Sequence, residues 1–93
     1  MQIRDDALRK KKVMTSDGKH IGTAHGLEFD SESYAVSTII IHLESDIAKE
    51  IGAKKPLIGK AEISVPVKKI SGITDSVVLR LDFAELKESV IES

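Results

Sequence analysis

Apolar residues recur along this chain mostly with a period of two, and glycines and polar clusters cut the pattern into short strands. The clearest stretch runs from Val36 to Leu43. Ile39, Ile41 and Leu43 share one face, while Val36, Thr38, Ile40 and His42 share the other. A strand wetted on one side alternates cleanly between apolar and polar residues. Here both faces carry aliphatics, which predicts cover on the second face as well. Ile63, Val65 and Val67 alternate with Glu62, Ser64 and Pro66 as a half-buried strand. Pro66 has no N–H to donate and so marks an edge or a strand end. A turn around Gly72 to Asp75 then leads into a last strand, Val77 to Leu81.

Nearer the N-terminus, Val13–Thr15 and His20–Phe29 read as a hairpin joined at Asp17-Gly18. Asp-Gly favours a two-residue type I′ turn, because both central residues need φ > 0. Pairing Ser16 with Lys19 then sets Met14 opposite Ile21 and Val13 opposite Gly22. Gly22 and Gly26 interrupt the second strand and predict a bulge or a sharp corner, which lets Leu27 and Phe29 turn inward. Asp30 to Ser33 is a polar turn.

Two helices complete the pattern. Ser45 or Asp46 caps a short one running to about Ile51, with Ile47 and Ile51 on one face and Gly52 as its stop. Ala53 to Lys60, with Lys54, Lys55 and Pro56, reads as a loop. Asp82 and Glu85 form a capping box, and Phe83, Leu86 and Val90 give the following helix its apolar stripe. Met1 to Lys12 reads as a solvated lead-in ending in four cations, Arg9 to Lys12. Its functional alternative is an electrostatic foot for an acidic partner or anionic lipid.

Ninety-three residues make one domain, spanning 1–93, with room for a single modest core. The fold class is mostly β: a small barrel of five or six strands over about residues 9–82, with the short inserted helix and a C-terminal helix over about 83–92. With Phe29, Tyr34 and Phe83 as the only aromatics, the core is aliphatic and platforms for stacking bases are scarce. Fourteen basic against fifteen acidic residues argue against sequence-independent nucleic-acid binding, and hence against direct DNA binding. The absence of cysteine excludes disulfides and thiolate metal sites. No apolar run approaches the roughly 20 residues of a membrane span, and charges occupy the place of a signal peptide's apolar core. A cytoplasmic protein is the expectation.

Candidate chemistry is sparse. His25 and His42 fall on strands expected to be neighbours, but a zinc site needs three or four ligands. His20 lies at the far end of the hairpin, and no third His or Cys falls at a matching position, so no metal site is expected. Gly52 to Lys60 fails the phosphate-loop pattern in spacing, and Ala61 stands where that pattern has its hydroxyl. Ser, His and Asp occur, yet no nucleophile signature frames them. The expectation is therefore a non-enzyme with no catalytic residues, metal or cofactor.

Two motifs carry a resemblance. Val13 to Asp30 reads V-x-T-x-D-G-x-x-I-G-x-A-x-x-L-x-F-D, and Val65 to Leu79 reads V-P-V-x-x-I-x-x-I-x-D-x-V-V-L. In order and spacing they resemble the opening hairpin and closing strands of the PRC-barrel family, found in the photosynthetic reaction-centre H subunit and in a ribosome-maturation factor. Thr74-Asp75 departs from the family's usual Gly-Asp, so the turn there is expected to be built differently. The inserted helix and free-standing length are similar to the stand-alone archaeal branch, which is associated with FtsZ-based cell division through ring-anchoring proteins. The resemblance thus implies a protein–protein adaptor with protein partners. An RNA-associated role in ribosome maturation is the alternative, although that branch carries a second domain with no counterpart here. A membrane-linked scaffold would need an anchor, and a ligand pocket is disfavoured because so small a barrel fills itself with side chains. From the residues themselves, Val36, Thr38, Ile40 and His42 form the expected self-association face of a homodimer. Phe83, Leu86 and Val90 are expected to dock on the barrel or on a partner.

Overall fold

The computed structural model describes residues 5–53 and 59–92, the side chains of 5, 6 and 90–92 excepted. The residues predicted as a loop at 54–58, with Lys54, Lys55 and Pro56, lie outside the described part, as does the side chain of Val90.

The fold is mostly β. Among the described residues six strands form one sheet: β1 (Lys12–Met14), β2 (His20–Phe29), β3 (Val36–Leu43), β4 (Glu62–Pro66), β5 (Ile70–Ile73) and β6 (Ser76–Leu79). Their spatial order is β4-β3-β2-β1-β6-β5. Every pairing is antiparallel except β1 with β6, which run parallel with Val13 opposite Val77. The sheet curls in barrel-like fashion around one aliphatic core, to which Val13, Ile21, Ile39, Ile41, Leu43, Val65, Val77 and Leu79 all contribute. A 3-10 turn, Val67–Lys69, carries the chain from edge strand β4 to edge strand β5. Val67, expected to continue the strand, instead opens this turn, because Pro66 ends β4 without a ladder N–H.

The helices are α1 (Asp5–Leu8), α2 (Ser45–Ile51) and α3 (Phe83–Glu92). Helix α2 buries Ile47, Ala48 and Ile51 in the core. Its N-cap is Glu44 rather than Ser45 or Asp46, with no side-chain cap; the N–H of Glu44 is held by the Ile21 carbonyl at 3.0 Å. Gly52 closes the helix at φ 76°, and Ala53 N–H donates to the Ala48 carbonyl at 2.9 Å, as in a Schellman stop. Helix α3 begins with the reciprocal box: Glu85 N–H donates to Asp82 Oδ1 at 2.8 Å and Asp82 N–H to Glu85 Oε1 at 3.2 Å. Leu86 is buried in the chain's own core and Phe83 packs against that core, so these two residues of the stripe dock on their own domain; the Val90 side chain lies outside the described part.

The lead-in is more structured than its polar sequence suggests. Leu8, within this charge-rich lead-in, is 1% exposed. Lys10 adopts φ 70°, and its N–H donates to the Ala24 carbonyl, while Ala24 N–H donates back to Lys11. Lys10 and Lys11 therefore extend the β1 pairing along β2. The Lys11 ammonium is engaged as well, 2.7 Å from the Thr74 carbonyl.

The first hairpin closes by a three-residue loop, not by the expected two-residue turn. Gly18 N–H donates to the Thr15 carbonyl at 3.0 Å and Thr15 N–H to the Lys19 carbonyl at 2.9 Å. Only Gly18 takes positive φ (86°); Asp17 does not. This is a type I turn followed by a left-handed glycine. The extra residue shifts the pairing, so Met14 lies opposite His20 while Val13 keeps Gly22. The buried Thr15 hydroxyl donates to Asp17 and accepts from Lys19 N–H at 3.1 Å. Gly18→Val should destabilise the domain by about 1–2 kcal/mol through left-handed strain. An unchanged urea midpoint would contradict this loop.

Candidate functional site

The turn region of that hairpin is locked into the fold. Ser16 N–H donates to the Leu81 carbonyl at 2.8 Å. The Lys19 ammonium lies 4.2 Å above the Phe83 ring and 3.4 Å from Glu50, tying the hairpin to α3 and α2. Away from that turn, the paired strands β2, β3 and β4 present an outward face.

Three features share that face. At its far end, Phe29 lies directly opposite Val36, and Tyr34 sits in the intervening loop at φ 60°. The three are 65%, 45% and 80% exposed, and they are the exposed large hydrophobics among the described residues. Phe29 was expected to turn inward. A second register shift at Glu28/Phe29 carries it to the hairpin tip, past the last core residue of the strand pair. The tip is held by Asp30, whose carboxylate accepts from Glu32 N–H at 2.7 Å and Ser33 N–H at 3.0 Å. The Ser33 and then the Glu32 N–H hold its carboxyl below the ordinary value.

In the middle, Glu28 Oε1 accepts from the Thr38 hydroxyl at 2.6 Å and the Ser64 hydroxyl at 3.1 Å, lacing three strands together. Those two bonds, Thr38 first, pull the Glu28 carboxyl below its ordinary value of 4.5. Because the unfolded chain holds this proton more tightly, the stabilisation is complete above 4.5. It is lost as pH falls through the lower folded value. Asp17, lowered chiefly by the Thr15 hydroxyl, and Asp30 act with the same sign. Urea midpoints should therefore fall between about pH 6 and pH 3, less steeply in Glu28→Gln. Equal slopes in the two proteins would contradict the role of Glu28. Beside this lacing Ile40 is half-buried; Thr38 is half-buried too, and its hydroxyl is committed to Glu28.

At the near end stand two histidines and a carboxylate. The rings of His25 and His42 stack with centroids 3.8 Å apart and planes 16° from parallel, and His42 Nε2 lies 3.0 Å from Glu62 Oε2. A bulge in β2 produces this arrangement: Ala24 pairs Ile41 and Gly26 pairs Ile40, so the extra residue, His25, is pushed outward beside His42. His42 in turn lies directly opposite Glu62 on β4. His20 stays apart, its Nε2 2.9 Å from the Gly22 carbonyl. The sequence reading paired His25 with His42 but missed Glu62, which only the register of three strands brings into place.

Compared with known proteins, the chain matches no protein-family model and no curated protein. No helix among the described residues is long and apolar enough to cross a membrane.

Proposed function

We propose that this chain is a non-catalytic protein-interaction module, its contact surface running from the hairpin tip at Phe29, Tyr34 and Val36 onto the outward side of β3. The observation that carries it is where the aromatics are spent. The chain has three, and two of them are exposed at one tip, directly beside an exposed valine. Clustered aromatics on a rigid hairpin are the usual anchors of protein contacts, since each buries a large area with few rotatable bonds. The interior favours the same reading. Among the described residues Thr15 is the one buried polar side chain, and it is occupied in holding a turn. The lowered carboxyls of Asp17, Glu28 and Asp30 are likewise exposed groups engaged in structural hydrogen bonds.

The first occupant we propose is a second copy, meeting across a twofold axis so that Val36, Thr38, Ile40 and His42 repeat each contact. The PRC-barrel resemblance extends this to an adaptor in an assembly such as archaeal FtsZ-based division. Light scattering on the purified chain at about 100 µM should give a dimer, and Ile40→Glu or Phe29→Ser with Tyr34→Ser should give a monomer. A monomeric parent would overturn self-association. A dimer indifferent to all these changes would move the interface elsewhere.

A further inference from the structure

We infer that His25, His42 and Glu62 form a site for a divalent transition-metal ion of the zinc class on the outward face of β2, β3 and β4. The ligand atoms of these three residues all lie within 4.8 Å of one another. His42 and Glu62 already stand as metal ligands would. Their 3.0 Å N···O contact is close to the ~3.4 Å separating two ligands about 2.1 Å from a tetrahedral ion. To admit an ion between them these two atoms need separate by only a few tenths of an ångström. His25 must move further, because the lone pairs of stacked rings do not converge. Its side chain is exposed, and rotation out of the stack brings a ring nitrogen toward the other two.

The backbone beneath is rigid where it matters. His42 and Glu62 are directly paired in the β3–β4 ladder, and the β2 bulge exists at the one position that adds a second imidazole to that pair. Two imidazoles and one carboxylate suit zinc, nickel, cobalt or copper, and they disfavour magnesium and calcium, which want oxygen ligands throughout. Three protein ligands leave a fourth position open to water, or to a side chain presented by whatever docks beside Ile40. The inference does not depend on the interaction reading, since it concerns ion binding by the chain alone.

Zinc chloride titrated calorimetrically into the untagged full-length chain tests it. We expect saturable binding of one ion per chain, weakened about tenfold or more by each of His25→Ala, His42→Ala and Glu62→Gln and unchanged by His20→Ala. Cobalt(II) should give the visible absorption of a low-coordinate site, and that signal should vanish in the same three variants. His25 and Glu62 are exposed, so their variants carry the test even if His42→Ala disturbs the sheet. No saturable binding at about 100 µM zinc, or equal binding by a His25→Ala/His42→Ala double variant, would overturn the site.

Discussion

Gly22→Ala should be the most damaging of the glycine-to-alanine changes, costing about 3 kcal/mol or more, at or beyond the upper end of overpacking. Gly22 pairs with Leu43, and the backbone of β3 occupies the space a side chain would take. A Cβ there would overlap the His42 carbonyl oxygen and come within 3.0 Å of Leu43 Cα. These are ladder atoms, not the ends of flexible side chains, so the strand itself must shift. Gly26 is the natural control, since a Cβ at that position meets nothing within 4 Å and its φ is not positive. Urea unfolding should show Gly26→Ala near the parent and Gly22→Ala far below it. Equal midpoints would mean that β2 does not approach β3 as described.

Leu86→Ala should cost about 2–5 kcal/mol, because Leu86 is a 1% exposed side chain whose removal leaves a cavity where α3 meets the core. Lys87→Ala, one residue on and exposed, should leave the midpoint nearly unchanged. If both variants behave like the parent, α3 is not docked in solution.

Some local rules held and two did not: the Asp17-Gly18 turn closes with three loop residues rather than two, and α2 is capped at Glu44 rather than at Ser45 or Asp46. The period-two run from Val36 to Leu43 became β3 with those bounds, because three consecutive inward positions are branched or long aliphatics that only the core accommodates. The Asp82/Glu85 box and the Gly52 stop formed as read, since each is complete within a few residues. The reading was less reliable where two segments distant in sequence must meet. Leu8 looks like part of a solvated, charge-rich lead-in, and its burial follows only once Lys10 and Lys11 have paired with Ala24. The outward turn of Phe29 depends on a second register shift, which no pattern within β2 encodes. The His25–His42–Glu62 group needed a bulge and a third strand. The sequence signals for it were the two histidines on neighbouring strands and a glycine, Gly26, immediately after the first; nothing pointed to Glu62.

The central claim is that the hairpin tip touches another protein, and photo-cross-linking from that tip tests it most directly. A benzophenone amino acid placed at position 34 of the full chain, expressed in its native cell, should give a discrete cross-linked protein species on irradiation. The same group at position 87, on the exposed side of α3, should give none, and Phe29→Ser should erase the product at position 34. No discrete product from position 34, or an identical pattern from both positions, would contradict the account.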